Sequence, residues 1–214
     1  MTPSEKLAAA LSEALVPIAR LDPPMVRAGK WLAFAVVLAG ALVALHGLRD
    51  DLAARFSEPS FFVPWLASVL VAITAGISAF YMSVPGSPRG IVALPALPLA
   101  VWLGALGSGC AVELSEQGTA ALGTSWGCLK FIGLTSLPLG GAMAIMLRKA
   151  APLAPSSTMA MGALAAAAFG SAGLELFHHL QTSTMVLIWH LGTVAAVTLI
   201  ASALGRRVLG GPAY

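Results

Sequence analysis

The sequence predicts an all-α fold, a polytopic membrane protein with six transmembrane helices and both termini in the cytoplasm. Of its 214 residues, 58% are hydrophobic and only 10% are charged, whereas soluble domains carry about 25% charged residues. The mean hydropathy is +0.87. The apolar stretches are continuous over the roughly 20 residues that a membrane helix needs, which excludes the alternating pattern of membrane strands.

The apolar stretches place the spans and divide the chain. The predicted spans are, in chain order, about residues 31–48, 61–82, 91–110, 127–147, 159–177 and 184–204. They leave a cytoplasmic N-terminal segment (1–30), a six-helix bundle (31–207) and a short cytoplasmic tail (208–214). Because the first apolar run begins only at Trp31, we expect it to remain as an anchor and not to be a cleaved signal peptide.

Two spans contain residues with a special structural meaning. Pro95 and Pro98 predict a kink in the first half of the third span, since proline removes a helical hydrogen bond. Gly162, Ala166 and Gly170 recur at every fourth position of the fifth span. This spacing of small residues is typical of helices that pack closely in membranes.

The distribution of basic residues predicts the orientation, because cytoplasmic loops are enriched in Lys and Arg. With the N-terminus in the cytoplasm, most basic residues fall on the cytoplasmic side: Lys6, Arg20, Arg27, Lys30, Arg89, Arg148, Lys149, Arg206 and Arg207. Cys110 and Cys128 then face outwards, into the periplasm if the membrane is a bacterial inner membrane. Since the basic residues form no single patch, we expect no direct contact with nucleic acid.

The N-terminal segment carries its own helical pattern. Residues 2–5, Thr-Pro-Ser-Glu, have the sequence of a capping box. An apolar stripe follows, formed by Leu7, Leu11, Leu15 and Ile18. The stripe fits either a helix that lies on the membrane or a helix that docks on a cytoplasmic protein. The docking interpretation is favoured because membrane-surface helices are usually rich in Lys and Arg.

After this helix, the segment continues as a proline-rich spacer towards the membrane. The spacer covers residues 20–24, Arg-Leu-Asp-Pro-Pro. Arg27 and Lys30 follow it, and we expect both to anchor the chain at the lipid headgroups.

Cys110 and Cys128 are the only two cysteines and are predicted to lie at the mouths of neighbouring helices. A loop that contains Glu113 and Glu116 is expected between them. Two thiols in this position can form a disulfide, bind a soft metal ion or react with an oxidant. A disulfide here would close a loop of about 18 residues and stabilise the fold by roughly 3 kcal/mol. The plainest alternative is that they are two unrelated small apolar residues.

All four histidines are predicted near the outward-facing end of the bundle, where the cysteines also lie. Together they form a candidate set of ligands for a soft metal ion such as zinc or copper(I), consisting of Cys110, Cys128, His46, His178, His179 and His190. The competing interpretations are an interfacial His46, a solvated helix end at His178 and His179, and an interior hydrogen bond at His190. We expect no stable cofactor beyond such a transient metal ion.

The motifs of common enzyme classes are absent from the sequence. It contains no Cys-x-x-Cys pair, no glycine-rich phosphate loop and no His-Glu-x-x-His zinc motif. We therefore expect a protein that is not an enzyme. Two alternatives stay open: a membrane thiol–quinone oxidoreductase with its quinone near Trp189-His190, and a metal-binding or metal-transport protein.

Several short segments, taken in order, resemble those of a known family. They are residues 15–24 (LVPIARLDPP) before the first span, residues 47–52 (GLRDDL) after it, residues 83–86 (SVPG) after the second, the two outer cysteines, and Trp189-His190 in the last span. In this order and spacing the chain resembles the NrsF family (negative regulator of sigma F), which are six-span membrane anti-sigma factors of proteobacteria.

The resemblance implies a function in transcription regulation at the inner membrane. It implies that the N-terminal segment binds an extracytoplasmic-function (ECF) sigma factor and keeps it inactive. The residues expected to form this contact are Leu7, Leu11, Leu15, Val16, Pro17, Ile18 and Arg20. It further implies that Cys110 and Cys128 sense oxidative or heavy-metal stress from the periplasm and cause release of the sigma factor.

Overall fold

A computed structural model describes residues 2–13, 20–118, 123–178 and 182–210. The helices are α1 (Pro3–Glu13), α2 (Pro24–His46), α3 (Leu52–Phe56), α4 (Pro59–Met82), α5 (Ala96–Gln117), α6 (Trp126–Arg148), α7 (Pro155–Leu174), α8 (Ser183–Met185) and α9 (Gly192–Leu209). A 3-10 turn, Arg89–Ala93, precedes α5, and a π-helical stretch, Val186–Leu191, joins α8 to α9. The described residues contain no strand.

Among the described residues, six helices are long and apolar enough to cross a membrane, which confirms the predicted six-span all-α fold. The 3-10 turn and α5 together make the third of them, Arg89–Gln117. Helix α8, the π-helical stretch and α9 together make the sixth, Ser183–Leu209, which we call the last span. The cytoplasmic location of both termini stays a prediction.

The first span begins at Pro24, earlier than the predicted Trp31. Proline is favoured at the first position of a helix because its missing N–H is not needed there. The predicted boundary at residue 30 between N-terminal segment and bundle therefore falls inside α2. Lys30 is exposed and makes an ion pair with Asp22, with 2.6 Å between Nζ and Oδ2. The Lys30 ammonium holds the pKa of the Asp22 carboxyl below its usual value.

Arg27 was predicted to anchor the chain at the headgroups, but its side chain is buried inside the bundle. Its guanidinium donates to Ser83 Oγ at 3.1 Å and to the carbonyl oxygen of Met146, and it lies 5.0 Å from the ring centre of Phe80. A buried charge is tolerated only when its hydrogen bonds are made. Arg27 thus ties α2 to the ends of α4 and α6.

The third span differs from its prediction at both ends. A kink was expected at Pro95. In the structure, the 3-10 turn changes into helix α5 at this residue. Helix α5 then continues to Gln117, whereas the prediction ended this span at Cys110. The segment 111–117 is therefore helical, and the prediction of a loop that starts at Ala111 is wrong. Without Gly or Pro, these residues have nothing to interrupt the helix.

Helix α7 lies at the centre of the bundle and packs on α4, α6 and α9. The predicted row of small residues makes this possible. A side chain added at Gly162 would lie 2.7 Å from Met143 Cγ, and one at Gly170 would lie 2.6 Å from Thr135 Oγ1. Ala166, between them, is fully buried. The prediction of close helix packing is confirmed.

Helix α1 begins as predicted. The backbone N–H of Thr2 donates to Glu5 Oε2 at 2.7 Å, and the N–H of Glu5 donates to Thr2 Oγ1 at 3.3 Å. This reciprocal pair is a capping box. No residue of α1 is buried, so the described part of the bundle does not cover its apolar stripe.

Candidate functional site

Both cysteines lie towards the same end of the bundle, where α2, α5 and α7 end and where α4, α6 and the last span begin. We call this the cysteine end. Both thiols are free. Cys110 lies on α5 and is half-buried, whereas Cys128 lies in the first turn of α6 and is 2% exposed. Cys110 is therefore the more exposed of the two side chains.

Among the described residues, the helices that carry the two cysteines have no extensive contact with each other, contrary to the prediction that they are neighbours. Helix α5 packs on α4 and on the start of the last span, whereas α6 packs on α7 and on α9. The last span lies against both α5 and α6. A tight loop between Cys110 and Cys128 would have made them neighbours, but the helical extension of α5 carries the chain away first.

Cys128 is part of a buried polar cluster. Its Sγ lies 2.8 Å from Ser125 Oγ, and the thiol lies next to the His190 imidazole. His190 is 1% exposed, and its Nδ1 lies 2.9 Å from Ser171 Oγ and 3.7 Å from Glu175 Oε1. The interior hydrogen bond expected for His190 is therefore present. The cluster joins α6, α7 and the π-helical stretch of the last span.

Cys110 is connected to the last span through its neighbours on α5. Both carboxylate oxygens of Glu113 accept hydrogen bonds there: Oε1 from the Ser183 N–H at 2.7 Å, and Oε2 from the Thr184 N–H at 2.9 Å and the Thr184 hydroxyl at 2.7 Å. These N–H groups belong to the first helical turn of the span, which has no carbonyl partners for them. A side chain at Gly109 would collide with Ser183, so the two helices are in close contact beside Cys110.

The π-helical stretch carries the predicted Trp189-His190 pair. Trp189 Nε1 donates to the carbonyl oxygen of Gly123 at 3.0 Å, just before α6. Together with His190, it fixes the last span against the start of α6. Such stretches are often found at functional sites. The sequence alone offered no signal for this change of helix type.

The other candidate metal ligands have separate surroundings. His46 stacks on Phe177 with 5.0 Å between ring centres, and its Nδ1 lies 2.9 Å from the carbonyl oxygen of Leu42. The carbonyl oxygen of His178 accepts from Arg49 Nη1 at 2.9 Å. His179 lies outside the described residues. Within the described part of the chain, no group of three or more His, Cys, Asp and Glu side chains could hold a metal ion.

Arg49, which the sequence analysis used only as part of the segment GLRDDL, is a buried anchor of the cysteine end. Its backbone N–H donates to the Leu176 carbonyl at 3.1 Å, and its guanidinium binds Asp51, with 2.5 Å from Nε to Oδ1. The Arg49 guanidinium holds the pKa of the Asp51 carboxyl well below its usual value. The segment after α2 is thereby fixed to the end of α7.

The candidate sigma-binding residues fall in two groups. Leu7 and Leu11 are 63% and 60% exposed on α1, and Arg20 is exposed beyond it. The rest of the predicted contact lies outside the described residues, namely Leu15, Val16, Pro17 and Ile18. Large apolar side chains with this exposure mark a surface that a partner or a membrane covers.

Comparison with known proteins finds one family. The family model of NrsF, described as a negative regulator of sigma F, matches residues 11–210 of the chain. No curated protein and no solved structure matches the chain. The family match covers nearly the whole chain, including both cysteines and all six long helices.

Proposed function

The chain belongs to the NrsF family of negative regulators of sigma F, and from this membership we propose a bacterial inner-membrane anti-sigma factor. In this proposal, the N-terminal segment binds an ECF sigma factor at the cytoplasmic face. Reaction of the cysteines with oxidants or heavy-metal ions in the periplasm then causes its release. The regulator has a sigma factor as its partner and performs no catalysis of its own.

The exposed stripe of α1 carries the proposal for the binding face. Leu7 and Leu11 lie one helical turn apart, both are largely exposed, and no residue of α1 is buried. Such a stripe fits the mode of recognition in which an amphipathic helix lies in an apolar groove of its partner. Glu5 and Glu13 with only Lys6 on this helix disfavour adsorption to an anionic membrane.

The binding face can be tested by adding one negative charge to either side of α1. Leu11→Asp places a carboxylate in the apolar stripe, and we expect it to reduce sigma-factor binding at least about tenfold. Ser12→Asp adds the same charge at the neighbouring position, outside the stripe, and should leave binding within about twofold. The full-length variants are purified from native cells in mild detergent, and co-purified sigma factor is quantified by mass spectrometry.

Two results would contradict this assignment. Equal loss of sigma factor with both variants would mean that the stripe is not the binding face. Absence of any sigma factor from the wild-type preparation, with the full-length chain intact, would remove the anti-sigma proposal itself.

For the input, we propose that both cysteines act on the last span instead of on each other. Cys110 lies beside Gly109 and Glu113, whose contacts reach Ser183 and Thr184, and Cys128 contacts His190. A bulky metal ion or an oxidised sulfur at either thiol would disturb contacts with the same short stretch. Because Cys110 is the more accessible thiol, it is the first to meet the stressor.

The last span also reaches the opposite end of the bundle, close to the start of α2. Its Leu209 is buried in the same apolar cluster as Ala28 and Trp31. A displacement of the last span would therefore change the packing at the point where the N-terminal segment enters the bundle. This continuous contact is the proposed link between cysteines and sigma factor, and it requires the bundle to have two arrangements.

A further inference from the structure

An apolar groove opens on the exposed side of the bundle between α6, α7 and α9, and we call it the glycine groove. Residues 133–144 of α6 and 197–208 of α9 contribute to its walls, and α7 contributes Met159 and Ala163. Its volume is about 440 Å³. This lies within the range of about 300–1,000 Å³ that is usual for ligand sites.

The chemistry of the walls restricts the class of ligand. Among the described residues that line the groove, only Ser136 has a polar side chain, and its hydroxyl donates to the carbonyl oxygen of Ile132 at 2.6 Å. The backbone groups of the helices are engaged in helical hydrogen bonds. A polar ligand would lose its hydration in the groove without gaining new hydrogen bonds. The walls therefore fit an alkyl chain.

Three glycines of α6 line the groove but are not required for packing within the described chain. A Cβ added at Gly133, Gly140 or Gly141 would meet no described atom within 4 Å. At Gly162 on α7, in contrast, an added Cβ would lie 2.7 Å from Met143 Cγ. A glycine inside a helix costs about 1 kcal/mol relative to alanine. The three glycines of α6 thus leave space for something outside the chain.

The length of the groove matches one leaflet of a membrane. Its first and last lining residues on α6, Gly133 and Ala144, are 11 positions apart, which corresponds to about 16 Å along a helix. Half of the hydrocarbon core of a bilayer is about 15 Å thick. A helix from a second copy of the chain would pack along the whole span, whereas a single acyl chain has the length of this groove.

Two arginines lie at the end of the groove that is opposite to the cysteine end. Arg148 follows Gly141 by seven residues and Ala144 by four, so it shares their face of α6. Arg207 follows Ile200 by seven residues and shares its face of α9. Both arginines are exposed, and neither makes an ion pair with a described residue. Each wall of the groove therefore ends in an unneutralised guanidinium.

The surroundings of this arginine pair favour an anion. The neighbouring segments 147–154 and 205–210 contain no Asp or Glu. A guanidinium binds phosphate through two parallel hydrogen bonds, and basic sites between membrane helices bind anionic lipid headgroups. Lys149 and Arg206 lie on other faces of the same two helices, because successive residues are rotated by about 100°.

We propose that the glycine groove binds one anionic phospholipid from the leaflet at this end of the bundle. An acyl chain lies against Gly133, Gly140 and Gly141, and the headgroup phosphate is bound by Arg148 and Arg207. The apolar walls select the chain, and the two guanidinium groups select the charge of the headgroup. The site does not depend on the sigma factor or on the cysteines, so it is testable without either.

The charge of the headgroup is tested on the purified full-length protein in a neutral detergent. Phosphatidylglycerol and phosphatidylcholine with the same acyl chains are titrated, and bound lipids are counted by native mass spectrometry. One phosphatidylglycerol should bind at least about tenfold more tightly than phosphatidylcholine, since each basic residue contributes about fivefold. The double variant Arg148→Gln and Arg207→Gln should lose this preference. The control Lys149→Gln and Arg206→Gln removes the same charge from other faces and should keep it within about twofold.

The position of the acyl chain is tested by filling the groove. Gly141→Leu places a side chain in the groove without a clash of its Cβ, and should weaken the binding of phosphatidylglycerol at least about tenfold. Gly104→Leu is the control, because Gly104 is an exposed glycine of α5 with equally open space and does not line the groove. It should bind phosphatidylglycerol as the wild type does.

Four results would overturn the proposal. They are equal affinity of the wild type for the two lipids, equal loss of preference in both double variants, tight binding that survives in Gly141→Leu, and a lipid-free dimer that Gly141→Leu converts to a monomer. The second result would indicate diffuse attraction between lipid and protein, and the last would identify a second copy of the chain as the occupant. If Gly141→Leu fails to fold, the two double variants decide the question by themselves.

Discussion

At the scale of single residues, the two thiols should differ in reactivity. Cys128 is 2% exposed and hydrogen-bonded to Ser125, whereas Cys110 is half-buried. Cys128 must wait for a local opening of the structure before a reagent reaches it. We expect a water-soluble maleimide to label Cys110 at least about tenfold faster than Cys128.

This difference is measured by mass spectrometry on two single-cysteine variants, Cys128→Ser and Cys110→Ser, in detergent. In the unfolding detergent SDS, the two remaining thiols should react at similar rates, which controls for intrinsic reactivity. Equal rates in the folded protein would show that Cys128 is as accessible as Cys110.

The pair of Arg49 and Asp51 makes stability dependent on pH at the acid side. The pKa of Asp51 is lower in the folded state than the value of about 3.9 in an unfolded chain. Its contribution to stability is therefore complete above that value and is lost as the pH falls through the folded-state pKa. We expect Asp51→Asn to lower the unfolding midpoint at pH 7 and to flatten its decline towards pH 3.

Asp50→Asn is the matched control, because Asp50 is the exposed neighbour of Asp51. It should change neither the midpoint nor its dependence on pH by a comparable amount. If both variants show the same acid profile as the wild type, the ion pair contributes nothing measurable to stability.

At the scale of helices, the contact between α7 and α9 depends on one glycine. A Cβ at Gly205 would lie 2.6 Å from Ser156 Cα and 2.7 Å from the carbonyl oxygen of Pro155. Both atoms belong to the backbone and cannot turn away. We expect Gly205→Ala to destabilise the fold by about 1–3 kcal/mol, the usual cost of overpacking.

Gly192→Ala, at the start of α9, is the comparison for this prediction. Its new Cβ would meet no atom within 4 Å. Alanine also has a higher helix propensity, so stability should stay unchanged or rise by up to about 1 kcal/mol. Both variants are measured by unfolding in SDS titrations. An equal change in the two would mean that α7 and α9 can separate without cost.

The helices also show where sequence patterns were sufficient. Length and hydrophobicity predicted six spans, and the spacing of Gly162 and Gly170 predicted the packing of α7. The extension of α5 to Gln117 escaped prediction because its polar residues resembled a loop. Its Glu113 is compatible with a helix end because both carboxylate oxygens have donors on the last span.

At the scale of the whole molecule, sensing and sigma binding should be separable. The cysteines belong to the bundle, whereas no residue of α1 is buried. We expect the double substitution Cys110→Ser and Cys128→Ser to abolish induction by oxidants or cadmium and to leave sigma-factor binding within about twofold. A reporter gene for the sigma factor measures the first, and co-purification measures the second.

The result that would contradict this view is normal induction in the doubly substituted protein. It would remove the cysteines from the mechanism without affecting the assignment of the N-terminal segment. Loss of sigma binding together with induction would instead point to a disturbed fold, which the unfolding midpoint of the same preparation would reveal.

Several segments that suggested the family have a structural use in the bundle. Ser83 receives the buried guanidinium of Arg27, Arg49 binds the end of α7, and His190 joins the cluster at Cys128. These side chains pair with partners far away in the chain. Their sequence signal was their place in an ordered set of motifs, and their partners became visible only in the fold.

The sequence by itself determined the class of the protein, its six spans, the capped N-terminal helix and the family resemblance, because each depends on residues close together or on an ordered pattern. The tertiary structure decided which residues meet. Glu113 and Thr184 are 71 positions apart, and Arg27 and Met146 are 119 apart. Hydropathy does not indicate which residues pair, because the lipid-facing and the helix-facing sides of a membrane helix are similarly apolar. For this reason the cysteines were expected on neighbouring helices, whereas the fold packs α5 and α6 each on the last span.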